Sequence, residues 1–238
     1  MMTSRVTISM HPAKLQAASR VFNIKNNCPF TVWPATLGTP PLPQSGFELQ
    51  AGAAISLEAP PHFSGRIWGR SFCSTDSSSR FSCLSGDCGS GQVACNGGAG
   101  GVPPATLVEL TLDGDGGKDF YDVSNVDGFN IPVAVAPQGG SGRCGATSCP
   151  VDVNSRCPQQ LQAVQGGQVV GCKSACLAFN TDRDCCRGQF GTPDTCPPTD
   201  YSKVFKDACP LAYSNAYDDR TSTFTCSGPA SYLVTFCP

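Results

Sequence analysis

Charge is scarce in this chain of 238 residues: Asp, Glu, Lys and Arg make up 14% of it, and the formal net charge is −2. With no basic excess, neither nucleic acid nor an anionic membrane surface is an expected partner. No run of eighteen apolar residues occurs, so no transmembrane segment is expected. Histidine is limited to His11 and His62, neither beside a cysteine cluster, and no cysteine pair has the C-x2-C spacing of a zinc site. No metal and no cofactor is therefore expected. His62 sits in Ala59-Pro60-Pro61-His62, a poor setting for the base of a Ser-His-Asp arrangement.

In place of charge the chain carries 16 Cys, 26 Gly and 20 Pro. An even, high cysteine count implies a disulfide framework made in an oxidising compartment, hence secretion. Cys185 and Cys186 are adjacent, so each is expected to bond elsewhere. With every cysteine bonded no thiol nucleophile remains, and any catalysis falls to carboxylates. The length suits one large β domain or two average ones, with room for a real core. Residues 1–20 lack a continuous apolar stretch behind a basic start. They are read as a non-core segment, a gene-model artefact in preference to an unusual secretion route, and the ordered domain is expected near Val21.

Alternation predicts strands within Val21–Trp33, Phe47–Glu58, Gly65–Arg70, Phe129–Pro137, Tyr213–Cys226 and Ser231–Phe236. Thr36–Gly46 reads as a Pro/Gly loop, and Ser71–Pro104 shows no periodicity. Cys144–Cys209 holds nine of the sixteen cysteines. Short helices are expected there at Lys173–Phe179 and Thr199–Cys209, the second with Thr199 or Asp200 as N-cap. Gly140–Gly145 matches G-x-G-x-x-G but opens no helix and lies in no βαβ unit. Asp113–Asp119 looks like half a calcium loop, yet Lys118 falls where Gly is needed and Ser124 where Glu is needed. Both read as turns.

The stretch Leu107–Val135 organises the reading. Strands Thr106–Leu112 and Asp119–Ser124 flank the turn Asp113–Lys118. Leu107, Glu109 and Thr111 share one face, while Val108, Leu110 and Leu112 form the oily one. In the partner strand Phe120, Asp122 and Ser124 share a face. A bend at Ser124-Asn125 would return Asp127 towards Asp122, gathering Glu109, Asp122 and Asp127; ordinary solvated charges are the alternative.

Several segments together closely resemble the thaumatin-like family, the fifth group of plant pathogenesis-related proteins. They include NNCPFTVW, RIWGRSFC, SGDCGSGQVACNGGAGGVPPATLVEL, DFYDVSNVDGFNIPV, CKSACLAF, AYDDRTSTFTC and YLVTFCP, and the likeness spans Val21 to Pro238 with all sixteen cysteines. It implies a mainly β fold. A flattened β-sandwich core (21–70, 96–143, 210–238) would carry a small disulfide loop domain (71–95) and a disulfide-rich, partly helical domain (144–209). It also implies the pairs Cys28–Cys237, Cys73–Cys83, Cys88–Cys95, Cys144–Cys226, Cys149–Cys209, Cys157–Cys172, Cys176–Cys185 and Cys186–Cys196. The family's acidic cleft falls on Arg66, Glu109, Asp122, Asp127 and Asp218, with Asp219 a rival for the last place. The chain departs from the family at Ser77–Phe81, where many members carry glycine. It also lacks the exposed lysine of sweet-tasting members, so sweetness is not expected.

The resemblance implies a monomeric defence protein, secreted to the apoplast or vacuole, that binds β-1,3-glucan or another fungal cell-wall polysaccharide. Weak endo-β-1,3-glucanase activity stays open. In that case Glu109 would be the acid and Asp122 or Asp127 its ionised partner, with Arg66 and Asp218 binding substrate. Trp68 or Phe129 would stack on sugar if exposed. The other reading is non-enzymatic: a permeabiliser of fungal membranes, or an inhibitor of a foreign enzyme or receptor.

Overall fold

The computed structural model describes residues 20–96, 98–229 and 231–238. The expectation for the N-terminal segment lies outside these residues, except at Arg20, which opens the first strand. The elements run β1 (Arg20–Asn26), β2 (Trp33–Thr39), β3 (Ala54–Ala59), β4 (Ser64–Thr75), β5 (Phe81–Ser85), β6 (Leu107–Thr111), β7 (Asp119–Ser124), β8 (Val133–Gln138) and β9 (Thr147–Cys149). They continue as β10 (Gln162–Gln165), β11 (Gln168–Cys172), α1 (Ala175–Phe179), α2 (Asp200–Ala208), α3 (Asp219–Ser222), β12 (Phe224–Cys226) and β13 (Ser231–Phe236). Among the described residues no helix is long and apolar enough to cross a membrane.

Two sheets face each other. One has the order β3-β1-β13-β8-β9, and the other the order β12-β7-β6-β4-β2 with β5 paired to β4. Period-two alternation sends Phe22 and Ile24 of β1, and Tyr232, Val234 and Phe236 of β13, into the space between the sheets. There they meet Ile67, Val108, Leu110, Tyr121 and Val123 from the opposite sheet, all buried in one core. An ion pair also crosses this layer: the fully buried Asp119 accepts from Arg20 Nε at 3.2 Å and from the Tyr232 hydroxyl at 2.9 Å.

Strand boundaries differ from expectation where local chemistry competes with the ladder. β2 extends to Thr39, taking the start of the proposed loop, and β3 begins only at Ala54, with Leu49 held by a single bridge to Val32. β4 runs on to Thr75 and pairs with β5, inside a stretch without visible periodicity. Tyr213–Cys226 is not a strand throughout. Asn215 and Asp218 side chains bond neighbouring backbone and side-chain groups, which favours a loop and the short α3, and only Phe224–Cys226 joins the sheet. Within 144–209 the two expected helices form, and Thr199 caps α2 in a capping box with Ser202. A β10–β11 hairpin accompanies them, turning on Gly166 and Gly167, both at positive φ.

All sixteen cysteines are paired: 28–237, 73–83, 88–95, 144–226, 149–209, 157–172, 176–185 and 186–196. These are the pairs the family resemblance implies. Denatured but unreduced protein should titrate with no free thiol, and two or more per chain would break this framework.

Candidate functional site

The outer face of the β12-β7-β6-β4-β2 sheet carries successive cross-strand rows. Ala35, Trp68, Leu107 and Ser124 form the first row. It is fully buried beneath Cys88, Cys95 and Ala105, with the Trp68 indole N–H donating to the Gly86 carbonyl at 2.8 Å. Leu37, Arg66, Glu109 and Asp122 form the second row, where the sheet emerges from under that cover. The loop that ends the cover lies close against both rows. A Cβ on Gly100 would stand 2.3 Å from Arg66 Nη2, and one on Gly101 2.5 Å from Trp68 Nε1. At Gly101 the buried, rigid indole leaves no room for a Cβ, whereas at Gly100 the contact is with the movable end of the Arg66 side chain.

Glu109 therefore stands between Arg66 on one neighbouring strand and Asp122 on the other. Asp127 joins them through a turn after β7. Asn125 donates its N–H to the Tyr213 carbonyl, Gly128 (φ 81°) donates to the Asn125 carbonyl, and Asp127 Oδ2 ends 3.8 Å from Arg66 Nη1. Both side chains are more than a third exposed, 34% and 40%, so this pair is worth at most about 1 kcal/mol.

The arrangement makes a cleft with two arms that share the Glu109–Asp122 wall. One arm, of about 360 Å³, is lined by Leu37, Ser64, Arg66, Thr111 and Phe120 as well as the pair. The other, of about 320 Å³, is lined by Leu107, Ser124, Asp127, Tyr213 and Ala216 with the same pair.

Asp218 does not join the group. Its Oδ2 accepts from the Ser214 N–H and hydroxyl, both at 2.7 Å, and pairs with Lys206 at 3.4 Å, so it organises the loop behind the cleft. Asp219 lies on the cleft side, where its Oδ1 accepts from the Tyr213 hydroxyl at 2.8 Å and its charge acts on Asp122. Trp68 and Phe129 are both wholly buried and offer no stacking surface. The aromatic rings on the cleft are Phe120 and Tyr213. Phe120 was within reach of the alternation, which already put it on the face of Asp122. Tyr213 arrives from a distant loop that alternation reads as the start of a strand, so its place on the cleft was not legible.

The carboxylates do not titrate alike. Burial above all, then Glu109 and Asp219 nearby, pushes Asp122 up to about 8. Its buried Oδ1 has no hydrogen-bond partner among the described residues, a state far less costly for a neutral carboxyl than for an anion. Glu109 is also raised by burial, but the facing Arg66 draws it back down while Asp127 adds to the rise. The pair thus keeps one proton through neutrality, and the geometry favours Asp122 as its holder.

A stability consequence follows. The unfolded chain loses the Asp122 proton near the ordinary carboxylate value, whereas the folded chain keeps it to about pH 8. Between those limits the folded state binds more protons, so stability falls as pH rises from about 4 to 8. Asp122→Asn should flatten that fall. Melting curves at both ends of the window check it, and an unchanged slope would remove Asp122 as the source.

The Thaumatin family profile matches residues 26–238 of this chain. The chain is 60% identical over 224 residues to thaumatin-like protein 1 of Pyrus pyrifolia, covering 92% of this chain and 91% of that protein. It is 56% identical over 219 residues to pathogenesis-related protein 5 of Arabidopsis thaliana, covering 91% and 90%. It is 52% identical over 226 residues to a glucan endo-1,3-beta-glucosidase of Prunus avium, covering 93% and 92%.

Proposed function

This chain belongs to the thaumatin family, and from that premise we propose that it is a secreted plant defence protein whose cleft binds β-1,3-glucan and hydrolyses it slowly. The direct opposition of Glu109 and Asp122 on adjacent strands, at the wall of an open two-armed cleft, carries this reading. Glycoside hydrolysis needs one carboxyl that holds a proton for the leaving oxygen and one carboxylate that attacks or activates water. Placing two carboxyls side by side in one half-buried row splits their proton affinities, and Arg66 biases the split by facing Glu109.

Asp122 then serves as the acid and Glu109 as the ionised partner, the reverse of the order given by sequence alone. The difference arises because burial weighs on Asp122 without a cation beside it. Arg66 and Asp127 border the same space and orient sugar hydroxyls. Eight disulfides suit an oxidising, extracytoplasmic setting. A relative of more than half identity bears the name of a β-1,3-glucosidase, which supports the choice of glucan.

Two measurements on the same preparation test the proposal: binding to linear β-1,3-glucan, and release of reducing sugar from it. Binding with release supports the whole reading. Binding without release leaves a lectin-like cleft and removes the enzyme. Absence of both removes the glucan.

A further inference from the structure

One step further out on the same sheet face lies a third cross-strand row, formed by Thr39, Ser64, Thr111, Phe120 and Thr225. It stands about 7 Å from the carboxylate row, two residues along each strand, and crosses five strands over about 19 Å. No member is charged and none is buried. The Ser64 and Thr111 hydroxyls touch at 2.9 Å, and the Phe120 ring is backed by the turn at Gly114, where a Cβ would stand 3.0 Å from it. Leu37, 39% exposed, adds apolar surface where the second row meets this one.

We propose that this row is a second binding strip, which takes the neutral sugar units of a saccharide chain that extends past the carboxylates. This inference rests on the glucan reading above and adds to it the side of the cleft by which the chain leaves. A pyranose has an apolar C–H face and a rim of hydroxyls. The flat Phe120 ring matches the first, and Ser64, Thr111 and Thr225, each both donor and acceptor, match the second. The only volume that opens from the Glu109–Asp122 wall onto this row is the Phe120 arm of the cleft, among the described cavities. Because the strip carries no charge, the affinity it adds is insensitive to salt, unlike any contribution from Arg66 or the carboxylates.

Titration calorimetry with linear β-1,3-gluco-oligosaccharides, from trisaccharide to hexasaccharide, tests this. Wild-type affinity should rise with length. Phe120→Ala should weaken hexasaccharide binding about threefold to tenfold and leave the trisaccharide unchanged. Thr111→Val keeps the shape and the fold and should act in the same sense, more weakly. If both variants bind the hexasaccharide like wild type, the strip is wrong and the cleft reading stands. An equal loss at every length overturns the strip as well, since Phe120 would then act at the carboxylates. Wild-type protein that binds no oligosaccharide or polymer removes the glucan reading itself.

Discussion

Asp119→Ala should lower the unfolding free energy by about 3–5 kcal/mol, the usual cost of breaking a buried ion pair from one side. Asp119 is fully buried and serves three partners with its two oxygens. Oδ2 accepts from Arg20 Nε and Tyr232 Oη, while Oδ1 accepts from the Asp113 N–H at 2.9 Å. Truncation leaves the Tyr232 hydroxyl and the Asp113 amide without this acceptor. It also leaves the buried Arg20 guanidinium with Asp113, 3.3 Å from Nη2, as its remaining carboxylate in this cluster. Asp113 is the more exposed of the two acids, so Asp113→Ala should cost less. Denaturant midpoints with disulfides intact decide the matter. A loss below about 1 kcal/mol for Asp119→Ala would show that the contact between the sheets is held by apolar packing alone.

The second large effect concerns chemistry. Asp122→Asn and Glu109→Gln should each reduce glucan hydrolysis on the order of a hundredfold to ten-thousandfold, since each removes one half of an acid–base pair. Both keep size and hydrogen-bonding reach, so glucan binding should persist. The pH profile separates the roles. With Asp122 as acid, activity requires its proton and should fall as pH rises through about 8. The acidic limb belongs to Glu109, whose ionisation Arg66 assists. Arg66→Ala should therefore move the acidic limb upward and leave the alkaline one in place. Full activity in Asp122→Asn would take the acid role away from it.

Much of this site was legible because a strand has a strict period of two. Once Glu109 was set opposite the oily face of Val108 and Leu110, its company with Phe120 and Asp122 depended only on the turn that joins β6 to β7. Asp127 needed one more step, a bend after Ser124, and Asn125 and Gly128 supply it. The Asp218-Asp219 dipeptide was beyond reach. Neighbours in sequence, they part company because one carboxylate is captured by Ser214 and Lys206 and the other by Tyr213. Lys206 stands on α2, whereas Ser214 and Tyr213 lie in a loop that alternation reads as strand, and side-chain bonds and the 144–226 and 149–209 disulfides, not a period of two, bring them together. The stacking role given to Trp68 failed for a related reason. Trp68 shares the outer sheet face with Arg66, but the cover over that part of the face comes from a Gly- and Cys-rich stretch whose path alternation cannot describe.

β1 pairs in parallel with β13, residue for residue from Val21–Ser231 to Asn26–Phe236, and β13 is the strand that joins β1 to β8. The ribosome therefore delivers the first strand of the sheet long before its central one. During synthesis β1 and β3 can form only a two-stranded ribbon, marginal in water, with an open edge exposed to other chains. The sheet closes only once β13 has been made, across a very long sequence separation, the kind of non-local pairing that slows folding and leaves strand edges open to association until then. A premature stop just before Ser231 would thus cost far more than the residues it removes, because it divides the five-stranded sheet into two unjoined halves.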